Sequence, residues 1–169
     1  MTAEEKATES ETTNNLDIFN VAVGIVFDFF LSQFPVGQSI PLERFEKEME
    51  PIIDRAEKNS NEGGRERRAG KKYIKSSNIP PNEYINEVTS WLVREGFLLQ
   101  IIEKGWGTEY QLTGKALTVL NAMPSGLSQT LGKKLSTAVK DAGTAAGRSV
   151  ISETVGQIIG AAARSFAGG

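Results

Sequence analysis

The chain has 169 residues, and its 19 Lys and Arg against 21 Asp and Glu leave a formal charge of −2. That length supports one compact domain with an appendage, because a domain of about 100–150 residues already buries roughly two-thirds of its unfolded surface. With no Cys and no His, the sequence lacks thiol and imidazole nucleophiles, the usual base at neutral pH and nearly every zinc or copper ligand set, so it reads as non-enzymatic and without a cofactor.

Residues 1–14 are acidic and Thr-rich, with Glu4, Glu5, Glu9 and Glu11 against Lys6. They lack the basic start and apolar run of a secretory signal, so a disordered leader on a cytoplasmic protein is expected. Thr12 to Asn15 then offers caps for a helix running to about Phe34, with Asp17 complementing the dipole in its first turn. Asp17, Asn20, Asp28, Ser32 and Gln33 interrupt its apolar residues, which points to a buried core helix rather than a membrane span. Pro35 and Gly37 end it, and Gln38 to Ile40 form a short extended segment before Pro41 opens a second helix.

In that second helix Leu42, Phe45, Met49, Ile52, Ile53 and Ala56 recur at helical spacing, and Pro51 should kink it near its end. Its carboxylates Glu43, Glu46 and Glu50 share the polar face and read as solvated, since no pocket is implied that would shift their pKa values. The segment KNSNEGGRERRAGKK, residues 58–72, has no apolar residue larger than Ala69 and marks an exposed basic loop. A third helix is expected from Pro80-Pro81 to Glu95, with Tyr84, Val88, Trp91 and Leu92 inward and Gly96 as its stop. Phe97 to Ile102 and Thr108 to Leu112 read as a β-hairpin turning at Gly105-Trp106-Gly107. Thr113 caps a short helix that stops before Pro124.

Residues 124–169 change character, becoming a Gly/Ala-rich amphipathic helical tail. Leu131, Leu135, Ala138, Val139, Ala142, Ala145 and Ala146 are at helical spacing, followed by Ile151, Val155, Ile158, Ile159 and Ala162. Gly126 and Gly132-Lys133-Lys134 do not make a phosphate loop, because the spacing is one residue too long and Lys134 stands where a hydroxyl is required.

The segment WLVREGFLLQIIEKGWGTEYQLTGKALTVL resembles the winged-helix (winged helix-turn-helix) family. Its apolar helix ends in a Gly, a strand and a variable turn follow, and a second strand closes on Leu112-Thr113 before a helix. The resemblance covers about half the chain, from Pro41 to Met123, and departs from the family at Gly114, which follows Leu-Thr sooner than usual, and at the long basic loop. It implies a mainly α fold with a small β-hairpin (α+β), a winged-helix domain over residues 15–123 and the helical tail beyond. The chain is also similar to bacterial hypothetical proteins that append a tail of the LGKKLSTAVKDAG kind to such a domain, a likeness that implies no activity.

Three functions compete on these residues. A winged helix that reads DNA sets its third helix in the major groove, where Asn86 and Ser90 would meet base edges. Here the outward stripe is Glu83, Glu87, Ser90 and Arg94, and its carboxylates oppose phosphate, so a protein-interaction or assembly module is the leading expectation, with Trp106 at the hairpin turn either a further anchor or folded back on Tyr110 or the core. A DNA-binding regulator is the alternative, using Asn86 and the basic residues Arg65, Arg67, Arg68, Lys71, Lys72 and Lys75 on phosphate. The tail could pack on its own domain, on a second copy through Gly143 with Gly147 and Gly156 with Gly160, or on an anionic membrane surface through Lys133, Lys134, Lys140, Arg148 and Arg164.

Overall fold

A computed structural model describes residues 14–55, 72–75, 77–103 and 107–166 of the chain. The first helix, α1 (Asn15–Gln33), starts where the Asn14 side chain accepts the Leu16 N–H at 2.6 Å. Apolar residues on all its sides make it the central element, with Ile18, Val21 through Phe27, and Phe30 buried. Among the described residues it is the one helix long and apolar enough to cross a membrane. Its faces are instead occupied by α2 (Leu42–Met49), α3 (Pro81–Arg94), α5 (Leu131–Lys140) and α6 (Ala145–Phe166).

The second helix is shorter than its periodicity suggests. It ends at Met49, a 3-10 turn covers Glu50–Ile52, and Ile53 opens a strand instead of continuing to Ala56. Pro51 accounts for the break, since it has no N–H to give to the preceding turn and the Lys47 carbonyl is already taken by Glu50. Strand β1 (Ile53–Arg55) pairs antiparallel with β2 (Lys72–Ile74), Ile53 opposite Ile74 and Arg55 opposite Lys72. Lys72 therefore belongs to a strand rather than to the expected loop, and this ribbon connects α2 to α3.

Helix α3 begins with Pro81 in its first turn and stops where the sequence puts its glycine: Gly96 has φ +73°, its N–H reaches the Val93 carbonyl and the Phe97 N–H reaches that of Leu92. Strands β3 (Leu98–Glu103) and β4 (Gly107–Leu112) follow as an antiparallel pair with Leu98 opposite Leu112 and Gln100 opposite Tyr110. On the far side of β4, Gln38 and Tyr110 exchange backbone hydrogen bonds of 3.0 and 2.8 Å. The extended segment before α2 thus adds a single bridge to the hairpin. Thr113 then caps α4 (Gly114–Leu120), its hydroxyl accepting from Ala116 N–H at 3.2 Å and donating to the Gly96 carbonyl at 2.7 Å.

The C-terminal residues form two helices joined by a turn. Thr130 caps α5, and Thr144 receives the Gly147 N–H at 3.0 Å as α6 begins. Leu131, Leu135, Ala138, Val139 and Ala142 are buried as the spacing predicts, but Ala145 and Ala146 are exposed, because the turn at Asp141–Thr144 resets the helical phase. Ile151, Val155 and Ile158 of α6 meet α1 and α5, and one continuous hydrophobic cluster runs from α1 through the hairpin and α4 to α6. Polar ties fix the register: the Asn20 amide donates to Ser152 Oγ at 3.0 Å, which donates to Asp17 at 3.0 Å, and Lys134 pairs with Glu153 at 3.0 Å. The protein is therefore mainly helical with small antiparallel β pairs.

Candidate interaction surface

The long axis of α3 divides cleanly into two faces. Ile85, Val88, Thr89 and Leu92 are buried, with the Thr89 hydroxyl satisfied by the Ile85 carbonyl at 2.8 Å. Tyr84 and Trp91 are half-buried, and Trp91 makes an edge contact with Phe19 at 5.0 Å between ring centroids. Burial pushes the Tyr84 phenol up to about 12, so it carries no charge at neutral pH. Asn82, Glu83, Asn86, Glu87, Ser90 and Arg94 are all exposed. Periodicity alone placed this stripe outward, and the structure brings its members onto one face.

Glu83 and Glu87 stand one turn apart, and among the described residues neither makes a hydrogen bond or ion pair. Like charges at this spacing cost an isolated helix about 0.2–0.5 kcal/mol, a penalty that a cationic partner would remove. The basic candidates behave differently. Lys72 pairs with Glu46 at 2.8 Å and Lys75 donates to the Pro51 carbonyl at 2.9 Å, so both spend their ammonium groups inside the fold. Arg65, Arg67, Arg68, Lys71 and the aromatic Trp106 lie outside the described residues.

Of the tail glycines, one serves a contact within the chain rather than a docking stripe. Gly143 lies in the turn before α6, with open space where a Cβ would go. A Cβ on Gly147 would meet the Asp141 carbonyl oxygen at 2.0 Å, so its missing side chain serves the α5–α6 turn within the chain. Gly156 faces open space, and a Cβ at Gly160 would meet only the Arg164 side chain at 3.5 Å. The close helix approach occurs instead at Gly24, which the sequence reading did not single out, and at Gly132, which it named only in rejecting a phosphate loop. A Cβ on Gly24 of α1 would meet Ile151 of α6 at 2.4 Å, and one on Gly132 would meet Leu31 at 3.0 Å and the Leu120 carbonyl at 3.1 Å. A glycine inside an otherwise apolar helix was the available signal at Gly24.

Of the tail cations, Lys134 is held by Glu153, and Arg148 donates to the Ala142 and Gly143 carbonyls at 3.4 and 3.3 Å, while Lys133, Lys140 and Arg164 are exposed. A shallow groove of about 360 Å³ lies between α5 and α6, bordered by Lys134, Asp141, Thr144 and Val150. Elsewhere Arg44 of α2 bridges Asp28 of α1 and Glu48, the latter at 2.7 Å. Burial raises the Glu48 carboxyl against the pull of Arg44, and its Oε2 is buried without a hydrogen-bond partner. Among the described residues there is no group of three or more acidic side chains placed to hold a metal ion.

Exposed apolar side chains were not anticipated. Leu99 is 54% exposed, and Phe34 and Val36, at the turn after α1, are 41% and 58% exposed. The Gln111 amide, opposite Leu99, donates to the Pro35 carbonyl, which puts that turn beside the outer face of the hairpin. The chain matches no protein-family model, no curated protein and no solved structure.

Proposed function

We propose that the chain is a non-enzymatic protein-interaction module on a winged-helix frame, and that the exposed face of α3 docks a cationic protein segment. The winged-helix reading is supported by the element order: helix, bridging residue, two further helices and a hairpin, with the β1–β2 ribbon inserted between the second and third helices. The carrying observation is the unpartnered pair Glu83 and Glu87 on the face that a DNA-reading member would turn toward phosphate. Asn82, Asn86 and Ser90 supply neutral donors and acceptors beside that pair, and Arg94 sets a cation at its end. The cytoplasmic placement belongs to the same proposal.

The test is affinity capture from nuclease-treated native extract, comparing the natural chain with the double variant Glu83→Lys/Glu87→Lys. Both positions are exposed, so the variant should melt with the natural chain while losing a specific bound protein. Sequence-selective duplex binding at nanomolar concentration and physiological salt, abolished by changing Asn86 and Ser90, would replace this reading with a DNA-binding regulator.

A further inference from the structure

The sheet that carries the hairpin ends abruptly on one side. Strand β4 is flanked on both edges, by β3 and by the Gln38 bridge, whereas among the described residues β3 pairs with β4 alone. Among the described residues, the backbone of Leu98 to Glu103 makes no hydrogen bond on its outer edge. The strand is six residues long and reads LLQIIE. It has no Pro, no Lys or Arg, and no bulge in its register with β4. These are the devices by which natural sheets keep an edge from pairing. Leu99 and Gln100 are both exposed beside that edge.

We infer that the outer edge of β3 is an interface for a second copy of this chain, paired antiparallel β3 to β3 across a two-fold axis. A two-fold axis brings each residue and its twin together, so a strand that pairs with itself cannot carry charge near the axis. From Leu98 to Ile102 the strand is neutral, which suits a twin and gives no attraction to a charged partner. With the axis at Gln100, Leu99 of one copy stands opposite Ile101 of the other, on the face that Gln111 and Glu109 share within one chain. The exposed apolar surface of Leu99 then passes from water to a cross-strand pair, and the turn at Pro35 and Gly37 borders the same face through Gln111 and Ile101. The two hairpins become one continuous four-stranded sheet. The pairing uses residues of β3 and none of the exposed residues of α3, so it is separate from the proposed docking of a cationic segment.

The test uses the full chain and its single variants Gln100→Lys and Gln100→Glu in sedimentation velocity over a wide concentration range. Gln100 is exposed, so at concentrations too low for pairing both variants should keep the melting temperature of the natural chain. The natural chain should dimerise, and each variant alone should show a dissociation constant raised by up to about fivefold, since like charges face each other across the axis. Mixing the two variants in equal amounts should restore the dimer, because opposite charges then meet. A natural chain that stays monomeric at millimolar concentration overturns the inference. So does a dimer that neither charge weakens, and in particular one that is lost instead on changing Gly156 of α6 to Arg.

Discussion

Single residues here carry opposite consequences for the same chemical change, and Gly147 and Gly156 show it within one helix. A methyl group at Gly147 runs into the Asp141 carbonyl oxygen at 2.0 Å, a backbone atom that cannot swing aside, whereas at Gly156 it meets nothing within 4 Å. Gly147→Ala should therefore destabilise the chain by about 1–3 kcal/mol through overpacking. Gly156→Ala should stabilise it by up to about 1 kcal/mol through helix propensity. Urea denaturation of the two variants checks both signs. Glu48 gives a second residue-scale expectation. Its carboxyl is raised by burial from an ordinary value near 4.5, so between that value and its folded value the native state binds more protons than the unfolded state. The contribution of Glu48 to stability must then fall as pH rises through that window. The stability of the natural chain minus that of Glu48→Gln, measured from pH 4 to 7, should decrease with pH, and a difference that rises would reverse the assignment of burial as the leading cause.

Among elements, those with local start and stop signals were legible, and those ended by long-range competition were not. Thr113 as a cap and Gly96 as a stop are both used by the folded chain, because their partners lie within a few residues. Helix α2 was overread through Ile52 and Ile53, whose apolar character suits a helix face and a strand equally, until Pro51 and the pairing of Ile53 with Ile74 decide for the strand. That same pairing removes Lys72 from the basic loop, and its distant partner Glu46 could not be read from spacing. The face of α3 was legible because helical periodicity alone fixes which residues point away from the core. Its acidic character leads to an expectation about nucleic acid. Binding to mixed-sequence duplex should be micromolar or weaker and should fall steeply with salt. Glu83→Lys/Glu87→Lys should tighten it, because the substitution turns two repulsive charges toward phosphate. Fluorescence anisotropy at several salt concentrations reads both effects, and an unchanged affinity would show that α3 does not face the duplex.

At the scale of the whole molecule, the tail and the hairpin share one core through α1. An apolar helix near the start of the chain needs cover on every side, and the hairpin, α2 and α3 reach only part of it. The rest is buried by Leu131, Leu135, Ile151, Val155 and Ile158, all at most 1% exposed. The sequence could show that the tail has an apolar face but not which surface receives it, since the receiving residues of α1 lie more than 100 positions earlier. Polar contacts point the same way: Asp17 and Asn20 meet Ser152 across that interval. Burying such side chains is worth about 1.5–3 kcal/mol each, and five of them match the whole stability of about 5–15 kcal/mol expected for a domain. A chain ending near Pro124 should therefore fail to unfold as a single cooperative transition and should bind a hydrophobic dye that the full chain excludes. A truncated chain with a sharp melt and no dye binding would show that residues 15–123 bury α1 without help. The milder variant Ile151→Ala keeps all the helices and should cost about 2–5 kcal/mol if α6 belongs to the core, a loss that an appendage resting on the surface would not produce.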